Sequence, residues 1–412
     1  MKRREFLRGA AAGVLGGLGM TLAACAGAPP TAAPTTAPAA GGDAPTTAPA
    51  AGGDAPTTAP VAAEPTAPQA QAPAQGSSLP AIEWQMGTSW PISLDTIYGG
   101  ATVLAERVAA LTNGMFQIKT FPAGELFPGL EVLQNVSNGT VAAGHTAMYY
   151  YVGLNSAWAI ATALPFGLTA AQQNAWLYHG GGNEAIDKIG AEFGVKCFAA
   201  GNTGAQMGGW WRREINSVSD ISGLRVRIPG LGGQVMTRLG AVVQTLPGGE
   251  IFQALSTGAV DAAEWVGPND DEKLGLNEAA DYYYSPGWWE PGPSLHAIVS
   301  LNEWEALPAE YQRIFAVAAW ESNLNMITKY DALNGAALER IVAGGTKLAT
   351  YNDEILSAAQ KAAFELYGEE SAKNALFKEI FGPWKKFRDQ IIQWHATNEQ
   401  PFNRFVIANP VS

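Results

Sequence analysis

Two stretches of this chain are written to nearly the same plan. Pro122 opens PAGELFPGLEVLQNVSNGTVAAGH, and Pro247 opens PGGEIFQALSTGAVDAAEW. Each passes from Pro through Gly-Glu into a short amphipathic helix, reaches a glycine where the helix can stop (Gly139 or Gly258), and enters a short apolar strand. A unit of this kind hides its apolar face only by packing on a sheet, so its recurrence predicts two similarly built lobes. Each lobe then presents a strand end toward a shared cleft; chance likeness between βα units is the alternative. The neighbouring sequence agrees. IEWQMGTSW at Ile82 to Trp90 reads as a strand, Gly99 to Leu111 sets Val103, Leu104, Val108 and Leu111 on one helical face, and MFQIKTFPAG reads as a strand ending at Pro122. Strands alternating with helices predict an α/β fold with two lobes, parallel-sheet cores, a hinged cleft and long C-terminal helices. Residues 79–205 are assigned mainly to the first lobe, 206–300 mainly to the second with crossover strands, and 301–412 to helices packing across the lobes or on a dimer partner.

The two ends of the chain contrast sharply. Residues 1–25 have a basic start, a weakly apolar middle and small residues before Cys25, the layout of an export signal. Arg3 and Arg4 followed by Phe6 and Leu7 resemble a twin-arginine signal. Leu22, Ala23, Ala24 and Cys25 resemble a lipobox in which Cys25 is acylated; a Sec-type signal with an incidental cysteine is the bland alternative. Next, APTTAPAAGGD occurs twice in tandem and APTTAP returns, an 11-residue period without aromatic residues. Such a tract cannot recover the entropy of ordering itself, so residues 26–78 are read as a disordered tether, with a glycosylated stalk as the lesser alternative. From Leu301 the pattern is helical, with a break expected at Gly382 and Pro383.

The formal net charge of -12 leaves no basic stripe for phosphates and argues against nucleic acid. It does not exclude an anionic ligand, because one buried arginine outweighs a diffuse surface field at short range. Cys197 is the only cysteine beyond Cys25, so no internal disulfide can form in the folded part, and its place in KCFAAG reads as a buried structural thiol.

The densest chemistry lies between Arg225 and Gly292. Arg227 is separated from Arg225 by one position in RVRIPG and stands nearer the strand end, where ligands of open parallel sheets gather. Glu264 and Glu290, among Trp265, Trp288 and Trp289, complete a set suited to a small anion beside a metal ion. Two carboxylates in a dry cleft repel each other, and a cation between them removes the penalty. A helix cap or a salt bridge is the plain reading of either Glu taken alone. Gln206 follows a Gly-rich turn on an expected strand, with an amide able to serve a ligand oxygen or Arg227. Trp210 and Trp211 belong to cleft or core. Tyr149, Tyr150 and Tyr151 come on the strand after Gly144, where alternation lets at most two face one way; each is a ligand contact or a packing residue. GLGG at Gly230 does not match a dinucleotide fingerprint and reads as a helix entry. Of four histidines, none lies in HExxH or beside an evident nucleophile.

Together, GNTGAQMGGW, LRVRIPGLGGQVMTRLGA and GEIFQALSTGAVDAAEWVGP resemble the DctP-type solute-binding proteins of tripartite ATP-independent periplasmic (TRAP) transporters. The likeness spans nearly all of residues 80–395. AAEWVGPNDD and YYYSPGWWEPG resemble the branch that binds 2-oxo acids such as pyruvate, or lactate, with a metal cation. The resemblance implies a periplasmic-binding-protein-like fold. It also implies that Arg227 pairs bidentately with the ligand carboxylate, that Gln206 approaches carboxylate or metal, and that Glu264, the Trp265 carbonyl and Glu290 hold Ca²⁺ or Na⁺. Tyr150 foremost among the three tyrosines closes the site, and Trp289 joins the ligand wall. Implied partners are a small monocarboxylate, the TRAP membrane permease, the membrane through a lipid anchor at Cys25, and a second copy if the C-terminal helix is exchanged in a dimer. The expected protein is a periplasmic binder that does no bond chemistry; a metal-dependent enzyme acting on a small oxo acid, or a ligand-sensing subunit, are the rival readings.

Overall fold

Eleven strands and the helices between them make up the described residues, 79–410 of the computed structural model. The export signal, the lipidation cysteine and the tether called above lie outside them. In chain order the strands are β1 (Ile82–Thr88), β2 (Phe116–Phe121), β3 (Ala143–Thr146), β4 (Val195–Asn202), β5 (Trp210–Trp211), β6 (Arg225–Arg227), β7 (Val242–Gln244), β8 (Ala262–Ala263), β9 (Tyr282–Ser285), β10 (Ser294–Ser300) and β11 (Lys347–Thr350). They form a five-stranded sheet, β2-β1-β3-β10-β4, and a six-stranded sheet, β11-β9-β5-β8-β6-β7.

Each sheet is the core of one lobe, as the repeated plan predicts. The helix Val132–Ser137 ends before Gly139 and leads into β3 of the first sheet, while Ile251–Ser256 ends before Gly258 and leads into β8 of the second. Gly139 and Gly258 both take the left-handed conformation, with φ of 72° and 73°, that lets a helix stop on a glycine.

The sheets are mixed rather than purely parallel. In the first, β10 runs antiparallel to β3 and β4; in the second, β5 runs antiparallel to β8 and β9. The physical reason lies in the crossings. The chain leaves β4 of one sheet and enters β5 of the other through residues 203–209, then returns from β9 to β10 through residues 286–293, so each sheet accepts one strand from a neighbour across the molecule. These two connections lie side by side, zipped by backbone bonds from Gln206 N to the Glu290 carbonyl (3.2 Å), Gly287 N to the Gln206 carbonyl (3.0 Å) and Thr203 N to the Pro293 carbonyl (3.2 Å).

Helix packing differs in detail from the sequence pattern. The helix Ile97–Leu111 buries Ile97, Ala101, Leu104 and Val108, whereas Leu111 is exposed and Val103 only partly covered. The buried face begins earlier because the helix does. Its partner is the helix Ala309–Ala343, whose Phe315, Ala318 and Ala319 join Trp84, Leu104 and Val108 in one apolar cluster. Further along, Met326, Tyr330 and Ile341 of the same helix join a second cluster with Trp265 and Trp90. One helix of 35 residues, roughly 50 Å long, therefore serves both lobes.

No break occurs at Gly382 and Pro383. The helix Ala375–Thr397 runs through them, and the interruption falls at Asn374, whose side chain accepts from Leu376 N (3.0 Å) and Phe377 N (3.1 Å). An internal proline costs ~3 kcal/mol. Burying Phe377, Ile380 and Trp384 on one stripe returns ~2 kcal/mol for each, so packing wins. Cys197 is buried on β4 and its thiol is pushed up by burial, which fits an inert core residue.

Candidate functional site

The carboxyl ends of strands from both sheets deliver the polar residues to one place. Trp90 follows β1, Tyr149 and Tyr150 follow β3, Thr203 and Gln206 follow β4, Arg227 closes β6, Glu264 and Trp265 follow β8, and Glu290 follows β9. Trp90, Ile97, Tyr149, Tyr150, Thr203, Gln206, Glu264, Trp265, Val266 and Leu295 line a narrow cavity of about 10 Å³, room for about one water molecule. A groove of about 400 Å³ lined by Tyr178, Asp187, Lys196 and Trp320 is larger but lies open on the first lobe, and its one charge pair is already satisfied.

Parallel pairing of β6 with β8 sets Arg227 beside Ala263, and Glu264 N donates to the Arg227 carbonyl at 3.1 Å. Arg227 is 1% exposed and Glu264 2%. The guanidinium forms an ion pair with the Glu264 carboxylate through Nη1, which also donates to the Glu264 carbonyl at 2.9 Å. Its Nε and Nη2 donate to the Leu246 carbonyl at 3.1 and 3.0 Å, and the group lies 5.4 Å over the Trp265 ring. Of five N–H donors, one on Nη2 is left over. Arg227 is thus held by the second lobe before any ligand arrives. Arg225, two positions earlier, is exposed and paired with Asp261.

Glu290 accepts from the Tyr149 hydroxyl at 3.3 Å. Burial is the main force on both glutamates. It raises the Glu264 carboxyl to about 7 against the pull of Arg227, and raises Glu290 well above the usual carboxylate range, where the charge of Glu264 adds to it. Burial likewise raises the Tyr149 and Tyr150 phenols, with Arg227 opposing it at Tyr150. Both tyrosines remain neutral donors.

Two oxygens at this site have no partner. The Gln206 amide donates through Nε2 to Thr203 Oγ1 at 3.1 Å, but its Oε1 is buried and unpaired. The Glu264 carbonyl is taken by Arg227 and the Val266 carbonyl by Met207 N at 3.1 Å, whereas no described residue donates to the carbonyl of Trp265 between them. Two carboxylates, an orphaned amide oxygen and a free carbonyl make an all-oxygen donor set of the kind hard cations accept. Among the described residues no three His, Cys, Asp or Glu side chains converge to hold a metal, so a cation here has to share its shell with the neutral oxygens and a ligand.

The structure also separates residues that the sequence grouped. The three tyrosines are not on a strand: β3 ends at Thr146, and Met148–Tyr151 form a 3-10 turn. That turn sends Tyr149 and Tyr150 to the cavity and Tyr151 elsewhere, its hydroxyl bound to Thr146 Oγ1 (2.9 Å) and Leu133 N (3.1 Å). Trp289 is buried against Trp288 and Tyr351 and, like Arg227 and Glu290, is not among the residues that line the cavity itself. Gln206 sits on the first crossing and not on a strand. Trp210 and Trp211 are core residues of β5, with indole N–H groups donating to Asp271 (2.9 Å) and the Gly208 carbonyl (3.0 Å).

Sequence reasoning missed Trp90, Ile97, Thr203, Val266 and Leu295. The rule that ligands gather at strand ends, applied to β1 as it was to β6, finds Trp90. Its indole N–H donates to His145 Nδ1 at 2.7 Å, and His145 Nε2 meets the Ala200 carbonyl at 3.1 Å; burial lowers this histidine to about 4, so it stays neutral. Trp90 therefore offers the cavity an apolar ring.

Comparison with known proteins adds a family match and three individual likenesses. The model of the family "Bacterial extracellular solute-binding protein, family 7" (DctP) matches residues 86–374. A monocarboxylate 2-oxoacid-binding periplasmic protein of Nostoc sp. PCC 7120 is 60% identical over 329 residues, covering 80% of this chain and 90% of that protein. A TRAP transporter solute-binding protein of Bordetella bronchiseptica shares 45% identity and a TM-score of 0.79, over 80% of this chain and 98% of the other; its crystal structure is a mixed-occupancy dimer with copurified calcium and picolinate in one site and the other apo. A TRAP periplasmic solute-binding protein of Pseudoalteromonas atlantica, with bound sodium and pyruvate, shares 32% identity and a TM-score of 0.76 over 78% of this chain and 98% of its own.

Proposed function

The chain belongs to the DctP family of bacterial extracellular solute-binding proteins, the receptors of TRAP transporters, and from that premise we propose that it binds a small 2-oxo or 2-hydroxy monocarboxylate together with Ca²⁺ or Na⁺ and hands it to a membrane permease. It is a binding protein and not an enzyme.

One observation carries the reading: the buried Glu264 lines the cavity beside Gln206 and Trp265, whose Oε1 and carbonyl have no partner among the described residues, and the buried Glu290 reaches the same cavity through the hydroxyl of Tyr149. One arginine does not neutralise two carboxylates, and unpaired buried oxygens are costly unless something fills the role of donor. Glu264, Glu290, Gln206 and the Trp265 carbonyl are the residues that hold the cation. When bound, it supplies a hard positive centre for those oxygens and for the ligand's carboxylate and 2-oxo or 2-hydroxy oxygen.

The chain's own residues do the rest. Arg227 presents its remaining N–H to the carboxylate, and a cation held by Glu264 would free further guanidinium donors for the ligand. Tyr150 and Tyr149 close the cavity from the first lobe as neutral donors. Trp90, Ile97, Val266 and Leu295 leave an apolar wall for a short alkyl tail, where a second carboxylate finds no partner. Lobe closure follows from the greater affinity of the closed form for ligand.

Calorimetric titration of ligand-stripped protein with pyruvate, lactate, 2-oxobutyrate and a C4 dicarboxylate, each with Ca²⁺, with Na⁺ and after chelation, tests the assignment. Micromolar or tighter monocarboxylate binding that disappears on chelation supports it and names the cation. Tight dicarboxylate binding indifferent to metal removes the glutamates from the proposed role.

The cellular setting is part of the proposal. Export by the twin-arginine route, acylation of Cys25 and the tether of residues 26–78 place the binding domain at the outer face of the cytoplasmic membrane. A lipid label lost in Cys25→Ser supports this, and an unlabelled native protein overturns it. Exposed Trp394, Phe402, Phe405 and Ile407 near the chain's end suit contact with a second copy, and the Bordetella relative is a dimer. A monomer mass by light scattering counts against that assembly.

A further inference from the structure

Asp271 is almost wholly buried, and its carboxylate accepts four hydrogen bonds. Oδ1 takes the backbone N–H groups of Val266 (3.2 Å) and Gly267 (3.1 Å). Oδ2 takes the Tyr283 hydroxyl (2.6 Å) and the Trp210 indole N–H (2.9 Å). Tyr283 and Trp210 stack at 4.0 Å on paired strands β9 and β5. One oxygen is therefore bolted to the second sheet while the other grips the loop that leaves β8.

That loop carries Glu264 and the Trp265 carbonyl. Beyond Ala263 few bonds hold it: Glu264 N reaches the Arg227 carbonyl, the Glu264 and Val266 carbonyls accept from Arg227 Nη1 and Met207 N, and the next N–H groups tied to the framework are the two that Asp271 accepts. Asp271 itself lies inside the short helix Pro268–Lys273 and reaches back to the two N–H groups ahead of it, a role that the amide oxygen of an asparagine can also fill. What asparagine lacks is the second acceptor oxygen facing Trp210 and Tyr283, together with the negative charge beside the site.

We propose that Asp271 is a positioning residue that fixes Glu264 and the Trp265 carbonyl for the cation, and so sets affinity for the cation rather than for the organic acid. The inference rests on the cation-sharing site proposed above. The charge of Asp271 also bears on Glu264, raising its carboxyl. Outer groups that orient metal-binding oxygens commonly matter ~10- to 100-fold in metal affinity.

The test uses the full chain. Calcium affinity is read by displacement of terbium, whose luminescence is excited through the nearby tryptophans, and pyruvate affinity by calorimetry at trace and at saturating calcium. Asp271→Asn is expected to weaken calcium by ~10- to 100-fold, while saturating calcium restores native pyruvate affinity. Native calcium affinity in the folded variant overturns the proposal, and so does a pyruvate loss that saturating calcium does not repair, since that is the mark of a packing defect. Tyr283→Phe loosens Asp271 without removing its charge, and it answers the question if the asparagine variant does not fold. A calcium loss of about fivefold is expected there, and no loss overturns the proposal. A native protein that takes up neither ion sinks the cation reading and this inference together; native uptake with both variants unaffected sinks only the inference.

Discussion

The two lobes meet at the cavity with opposite materials. From the second lobe and the crossings come every charge at the site: Arg227, Glu264, Glu290 and, behind them, Asp271. From the first come aromatic rings and neutral hydroxyls: Trp90, with its N–H turned to His145, and the turn bearing Tyr149 and Tyr150. The bond from Tyr149 to Glu290 links the two, and it is long at 3.3 Å. Units of like plan have thus been given unlike tasks. One side holds an electrostatic socket in which Arg227, Glu264 and Asp271 are paired before ligand arrives, and the other is a lid that can leave without separating an ion pair. For a receptor that must release what it binds, charges confined to one side keep opening cheap in a medium where a bare buried charge is costly.

Breaking the socket should have the largest effects. Arg227→Lys keeps the charge but loses the fork that serves Leu246, Glu264 and ligand together, and ligand affinity is expected to fall roughly 30-fold to more than 1,000-fold. Loss of less than tenfold by calorimetry would place the ligand anchor elsewhere. Glu264→Gln follows, weakening cation and monocarboxylate alike by ~10- to 100-fold; unchanged affinity for both takes Glu264 out of the site.

The same contrast predicts a pH signature confined to the socket. Burial raises Asp270 to about 6, Asp271 and Glu264 to about 7, and Glu290 well above the usual carboxylate range, whereas these groups titrate near ~4 in an unfolded chain. Between those limits the cation-free folded protein holds protons that the unfolded chain has released. The contribution of these four groups to its stability is then greatest below about pH 4 and falls as pH rises toward 7 and beyond. A cation favours the ionised glutamates, so the calcium-induced rise in melting temperature should grow from pH 5 to pH 8. An equal rise at both pH values would show that these carboxyls do not meet the cation.

Much of the socket was legible because its parts lie within one continuous stretch and at strand ends. The repeated Pro-Gly-Glu plan marked β3 and β8, and the step from Arg225 to Arg227 marked the strand end. The lid was harder to read. A run of three tyrosines after an apolar strand looks like more strand, but backbone bonds such as Tyr150 N to the Ala147 carbonyl make a helical turn, and the bonds of Tyr151 to Thr146 and Leu133 hold it apart from the other two. Trp289 stood beside Glu290 in sequence but packs on Trp288 and Tyr351, since adjacency along an irregular crossing says nothing about direction. Asp271 was quoted within its motif without a role, because an acidic pair near a helix start also has a surface reading. At Pro383 local propensity pointed to a break, and the aromatic stripe of Phe377, Phe381 and Trp384 overruled it.

Tyr149→Phe probes the seam itself and should have the smallest effect. The hydroxyl is a neutral donor at 3.3 Å, and its removal leaves the ring packed against Tyr150 and beneath the Cβ-free Gly230, where an added Cβ would lie 3.1 Å from Tyr149 Cβ. Losing one such bond to a charged but repositionable carboxylate is expected to cost about two- to tenfold in ligand affinity. If the lid is neutral in function as well as in composition, that cost belongs to the closed state and appears as faster release, with the association rate and the cation affinity unchanged. A loss as large as that of Glu264→Gln, or one shared equally by the cation, would mean that Tyr149 holds Glu290 in place before ligand arrives. The first lobe would then be part of the socket, and opening would disturb the charges it is built to spare.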